Sequence, residues 1–175
     1  MRRCQQVESI RRAALILFLA TGSAAASPLA AAAELRGTPH VLAGDLIELQ
    51  GRRLRLDGID APEPGQRCAL EARLYDCGEV ARTALLDLTA GTEVRCRPLG
   101  PGPAGSTMAR CFAADYDLSE GMVYTGWALA EPAAAERYGA VQEQAKRARH
   151  GLWRGRFVAP WEWAAGKRLP EEDGG

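Results

Sequence analysis

The chain has 175 residues with 22 basic and 22 acidic side chains, a formal net charge of zero. That length suits one domain with a real core and is too short for two ordinary ones. A balanced charge argues against a protein that coats nucleic acid by bulk attraction, so any such binding has to come from a local basic site.

The N-terminus reads as a leader. Arg2, Arg3, Arg11 and Arg12 precede a short apolar run from Ala13 to Ala20, and small residues follow. Ala24-Ala25-Ala26 and Ala31-Ala32-Ala33 each offer an A-x-A cleavage site. This order predicts a signal peptide over 1–33, cut after Ala26 or Ala33, and hence a periplasmic or secreted protein. A spanning helix needs roughly 20 apolar residues, whereas Thr21, Gly22, Ser23, Ser27 and Pro28 interrupt this run. No stable membrane insertion is expected after cleavage. The leader carries four arginines and Glu8, so 18 basic and 21 acidic side chains remain without it, a net of −3. Cys4 leaves as well. Cys68, Cys77, Cys96 and Cys111 remain, an even count that predicts two disulfides in an exported domain. Their spacing is not the paired C-x-x-C of a zinc site. His40 and His150 have no partners at ligand spacing and read as surface residues.

From His40 to Asp60 the pattern predicts two strands, Leu46–Leu49 and Arg53–Leu56, joined through Gln50-Gly51-Arg52. Arg53, Arg55 and Asp57 share one face of the second strand, and Leu54 and Leu56 the other. Pro62, Pro64 and Gly65 mark an irregular segment. Asp76 is a helix N-cap with Glu79 at capping-box spacing; Val80, Ala84, Leu85 and Leu88 follow at helical steps up to Gly91. Thr92–Arg97 is a strand, Pro98–Gly105 a loop and Thr107–Ala113 the partner strand. A hairpin centred on that loop sets Cys96 opposite Cys111 and leaves Cys68 to pair with Cys77 across a short loop. Asp117–Trp127 reads as a short helix, and Tyr138, Val141, Ala145, Ala148 and Leu152 as an amphipathic one that Gly151 caps. Strands, an inserted helix, more strands and closing helices make an α+β pattern. The domain is expected over 38–165, with 166–175 a disordered tail.

With Gly51 as the hairpin centre, Asp45 lies opposite Asp57. Asp45, Asp60 and Glu63 then gather at the open end of the hairpin, with Arg55 within ~7 Å along the strand. Carboxylates converging beside one arginine suggest a hard-cation site next to an anion site. From spacing alone, the same pattern also fits surface charges at loop ends.

Ala43-Gly44-Asp45-Leu46, followed by Arg55-Leu56-Asp57-Gly58-Ile59-Asp60-Ala61-Pro62-Glu63, resembles the signature of the thermonuclease (staphylococcal-nuclease-like) family. Asp117-Leu118, Met122-Val123, Gly126–Ala130, Ala148–Trp153 and Pro160–Trp163 resemble its later blocks, so the likeness covers His40 to Trp163. The resemblance implies an OB-fold, a five-stranded β-barrel with about three packed helices, and hydrolysis of nucleic acid, DNA or RNA, with Ca²⁺. It implies Asp45, Asp60 and the main-chain carbonyl of Ala61 as calcium ligands, Glu63 as general base and Arg55 as a phosphate contact. A monomer is expected.

The departures fall on the substrate side. Ser106 stands where the family has a second catalytic arginine, and a serine hydroxyl is too short to replace it. Arg110, four residues on, is ~13 Å away along the strand; Arg67 is the other arginine that could substitute. Glu131-Pro132 replaces a substrate-contacting tyrosine, and a glutamate there would repel a phosphate. Two readings follow: a calcium-dependent nuclease, weakened by the loss of one transition-state donor, or a catalytically inactive nuclease-fold module for binding in the cell envelope. An OB-fold single-strand binder would need stacking aromatics on a basic groove, whereas Trp127, Trp153, Trp161 and Trp163 read as core residues of the helices and tail.

Overall fold

The computed structural model describes residues 33–71 and 73–172. The predicted leader therefore lies outside the described residues, save Ala33. In chain order the strands are β1 (Leu35–Gly37), β2 (His40–Ala43), β3 (Leu46–Leu49), β4 (Arg52–Leu56), β5 (Ile59–Asp60), β6 (Arg67–Leu70), β7 (Arg73–Asp76), β8 (Val94–Pro101), β9 (Thr107–Ala113), β10 (Tyr116–Asp117) and β11 (Leu129–Ala130). The helices are α1 (Cys77–Thr89), α2 (Leu118–Tyr124), α3 (Ala135–Ala148) and the single turn α4 (Pro160–Ala164).

The main sheet runs β1-β8-β9-β4-β3-β2, with β10 added on β9. All pairs are antiparallel except β4 with β9, where Leu54, Arg55 and Leu56 face Thr107, Met108 and Ala109 in parallel. β1 and β2 are consecutive stretches of one run of chain, parted at Thr38-Pro39, so the path begins and ends on the same segment. Proline has no N–H to give to a ladder, which accounts for the break there. Counting that run once leaves five principal strands in the order 1-2-3-5-4, the OB-fold expected from the sequence.

Alternation along the strands fills the barrel. Ile47, Leu49, Leu54, Leu56, Val94, Cys96, Ala109 and Cys111 turn inward and are buried, and Leu85 of α1 with Met122 and Val123 of α2 close the core. Cys96 pairs with Cys111 across β8 and β9, and the disulfide between them lies inside the barrel. The second bridge, Cys68–Cys77, ties β6 to the first residue of α1. That helix starts as read: the Asp76 carboxylate accepts from the Glu79 N–H at 2.8 Å.

Several boundaries differ from expectation. The β3–β4 turn is two residues, Gln50-Gly51, both left-handed (φ 53° and 72°), so Leu49 pairs with Arg52 and Asp45 lies opposite Leu56 rather than Asp57. β8 continues to Pro101, four residues past the expected strand end at Arg97, because Gly100 at a register shift lets the strand bend without losing its partner. Helix α3 ends at Arg149, itself left-handed (φ 55°), and Leu152 belongs to the next 3₁₀ turn, so Gly151 is not the cap. Part of the stretch read as a disordered tail is packed: Leu169 is buried with Ala69 and Val158, and Arg168 stacks on the Trp163 ring at 4.1 Å. Trp161 is 43 % exposed and is not a core residue. His150 is half-buried, with Nδ1 2.8 Å from the Tyr124 carbonyl oxygen, while His40 is exposed as expected.

Nonreducing peptide mapping should recover only Cys68–Cys77 and Cys96–Cys111 pairs; a Cys68–Cys96 peptide or free thiols would contradict this architecture. A Cβ added at Gly139 in α3 meets nothing nearer than Ala135 Cβ at 4.0 Å. Gly139→Ala should therefore raise stability by about 0.5–1 kcal/mol in a denaturant melt, through lower backbone entropy in the unfolded chain.

Candidate active site

The site begins with a tight turn. Gly44-Asp45 joins β2 to β3, and Ala43 faces Leu46 across it. Gly44 has to be glycine: a Cβ there would lie 2.8 Å from the side chains of both Ala61 and Ala81. The close approach sinks Asp45 to 1 % exposure against α1 and the β5 segment. Its main-chain oxygen accepts from the Leu56 N–H at 2.8 Å, locking the turn to the end of β4.

Arg55, on the outward face of β4, bonds the buried Asp45 carboxylate through Nη1 and lies 3.9 Å from an Asp60 oxygen. One guanidinium thus serves two carboxylates. Burial pushes Asp45 up to about 7 although Arg55, its ion-pair partner, and the Ala61 N–H both favour the ionised form. Burial also raises Asp60 to about 6, again against the pull of Arg55, with Glu63 and Glu131 adding to the rise. Glu63 acts on both aspartates, so the three carboxylates share one electrostatic neighbourhood. Among the described residues no group of three or more His, Cys, Asp or Glu side chains is placed to surround an ion. Asp45 and Asp60 both lie against the Arg55 guanidinium, and the Ala61 backbone bonds the Asp45 carboxylate.

The Glu63 loop is held by a residue that the sequence did not single out. Gln66 is fully buried. Its Oε1 accepts from the Glu63 N–H at 3.1 Å, and its Nε2 donates to the Val158 carbonyl at 2.8 Å. Its backbone N–H closes the turn on the Glu63 carbonyl at 2.9 Å, and its own carbonyl accepts from the N–H groups of Cys77 and Gly78. The first turn of α1 therefore grips the loop, and the Cys68–Cys77 bridge fastens the same contact. A Cβ at Gly78 would stand 2.0 Å from the Glu63 carbonyl oxygen. A buried glutamine leaves no periodic trace in a sequence, and only the fold shows what it touches.

Ser106 lies between the 3₁₀ turn Pro103–Gly105 and β9. It is 7 % exposed, and its hydroxyl donates to the Pro103 carbonyl at 2.7 Å, so it closes its own loop. Arg67 is exposed on β6, opposite Asp76 in a separate two-stranded sheet. Arg110 follows Ala109 on β9, one step past the Leu56–Ala109 pair. Glu131 lies at the β5–β11 junction, its N–H donating to the Gly58 carbonyl at 3.0 Å.

The family model described as staphylococcal nuclease homologue matches residues 53–155. The chain is 34 % identical to the succinoglycan biosynthesis protein ExoI of Rhizobium meliloti over 128 residues, which cover 71 % of this chain and 67 % of that protein. It is 32 % identical to a micrococcal nuclease of Shigella flexneri, covering 75 % of this chain and 81 % of that enzyme. Protein ParB of Escherichia coli is also 32 % identical, with 75 % and 80 % covered.

The Gly78 contact generates a prediction. Gly78→Ala forces a methyl group onto a main-chain oxygen and should lower stability by about 1–3 kcal/mol, the range for overpacking. An unchanged melting curve would mean that α1 does not grip the Glu63 loop as described.

Proposed function

The chain belongs to the staphylococcal nuclease homologue family, and on that premise we propose that it is a calcium-dependent phosphodiesterase hydrolysing DNA or RNA. We further propose that it is exported through its N-terminal leader and works as a monomer. Two disulfides suit an oxidising compartment, and no described helix is long and apolar enough to cross a membrane.

The observation that carries the reading is the convergence of Asp45, Arg55, Asp60 and Glu63 at one end of the barrel. The donor set fits a hard cation: the side-chain donors are oxygens, and two carboxylates face a single guanidinium, so a cation would balance the second one. Asp45 and Asp60 would hold the calcium, with the Ala61 carbonyl and water supplying the remaining oxygens. When bound, calcium would supply positive charge where negative charge builds on the phosphate oxygens. Glu63, positioned by Gln66, takes the proton from the attacking water. Arg55 orients the phosphate, and its Nε, buried and without a partner among the described residues, is a donor available for a phosphate oxygen.

Ser106 favours the second reading, an inactive module of the cell envelope, because its hydroxyl is committed to Pro103. Losing one transition-state donor costs about 10²–10³ in rate, which weakens an enzyme without abolishing it.

Two measurements test the proposal. Calcium should raise the melting temperature with weak affinity, on the order of 10⁻⁴–10⁻³ M, and Asp60→Asn should abolish that rise. An unchanged rise in the variant would place the metal elsewhere. Glu63→Gln should lower kcat on denatured DNA by about 10²–10⁴ with KM little changed. If the parent protein binds oligonucleotide but shows no Glu63-dependent hydrolysis, the inactive-module reading stands instead.

A further inference from the structure

The nuclease reading leaves the site one cation short, because Ser106 is neutral and its hydroxyl is bonded to Pro103. A second guanidinium does reach this end of the barrel, from a different element. Arg137, in the first turn of α3, pairs through Nη1 with the Asp57 carboxylate at 2.6 Å. Asp57 is two residues along the chain from Arg55 and precedes the Gly58 turn that leads to Asp60. The other terminal nitrogen of Arg137 lies over that turn: a Cβ at Gly58 would be 2.8 Å from its Nη2. Gly58 is left-handed (φ 80°), and its missing side chain gives the guanidinium its seat. The aliphatic and planar parts are held as well, with the guanidinium carbon 5.1 Å from the Tyr138 ring centroid. Some 37 % of the side chain stays exposed, so donors remain for an incoming group.

Glu131 links this arginine to the site already described. Its N–H is bonded to the carbonyl of Gly58, the residue on which Arg137 rests. Its carboxylate lies in the fields of both Arg55 and Arg137, and it contributes to the rise at Asp60. Burial and the Asp57 carboxylate raise Glu131 and outweigh the pull of both guanidiniums, so Glu131 is a group that an incoming phosphate would displace from the two arginines.

We propose that Arg137 is the second phosphate-contacting cation of this site, entering from α3 in place of the position before β9 that Ser106 occupies, with Asp57 and Glu131 as the carboxylates that compete with the phosphate. The proposal rests on the nuclease reading for the identity of the anion, a nucleic-acid phosphate. Binding can still be measured apart from hydrolysis.

The alternative role for Arg137 is purely structural, a tie between α3 and the barrel through Asp57. Fluorescence anisotropy with a single-stranded DNA oligonucleotide, with calcium and over a range of salt, separates the two. Arg137→Gln should weaken binding roughly tenfold, the worth of one charged hydrogen bond, and should reduce the slope of log K against log salt by about one. Glu131→Gln should tighten binding, and Asp57→Asn should not weaken it, because each removes negative charge beside the phosphate. Arg147→Gln, exposed further along the same helix, should leave the slope unchanged.

A structural tie predicts the reverse relation: Arg137→Gln and Asp57→Asn lower the melting temperature together, with affinity and salt slope unmoved. That result overturns the proposal. If hydrolysis depends on Glu63 while Arg137→Gln leaves binding and slope unchanged, the proposal fails and the nuclease reading survives. If binding depends on Arg137 but no Glu63-dependent hydrolysis exists, the nuclease reading fails and the phosphate contact survives. Absence of any oligonucleotide binding by the parent protein overturns both.

Discussion

The buried ion pair between Asp45 and Arg55 is the contact around which this end of the molecule is organised. A carboxylate at 1 % exposure is costly to keep ionised, and one shared guanidinium does not repay that cost in full. The arrangement persists because the backbone imposes it. Gly44 admits the turn against Ala61 and Ala81, the Asp45 carbonyl is bonded to Leu56, and the alternation of β4 turns Arg55 outward while Leu54 and Leu56 fill the barrel. The core thus fixes where the charges lie.

A second layer of support stands behind Glu63. Gln66, Gly78, Val158 and the Cys68–Cys77 bridge join the loop, the first turn of α1 and the C-terminal segment in one hydrogen-bonded unit. These contacts tie the placement of one carboxylate to three distant parts of the chain. They also give the C-terminal stretch a reason to pack: the Val158 carbonyl that Gln66 needs lies in the same cluster as Leu169.

The parts of this structure legible in the sequence were those with a short-range signature. Alternation placed β3, β4, β8 and β9, the Asp76 cap placed the start of α1, and the hairpin count set Cys96 against Cys111. The convergence of Asp45, Asp60 and Glu63 was also visible, since all three lie within one hairpin and its exit loop. The register of that hairpin was missed by one residue because Gln50 shares the left-handed turn with Gly51, a conformation that asparagine and glycine usually signal and glutamine does not. Gln66 and Arg137 were not legible at all. Their partners are Val158 and Asp57, 92 and 80 positions away, and such contacts exist only once α1, α3 and the C-terminal segment have docked.

The central claim is that the Asp45–Arg55–Asp60 cluster is a metal-dependent phosphodiester site, and hydrolysis of denatured DNA by the disulfide-bonded protein tests it most directly. Product formation is measured with calcium, with chelator, and with calcium in Asp45→Asn. The account predicts turnover with calcium alone, none with chelator, and none in the variant while the variant remains folded by circular dichroism. Hydrolysis that persists in chelator, or that survives Asp45→Asn undiminished, would contradict it.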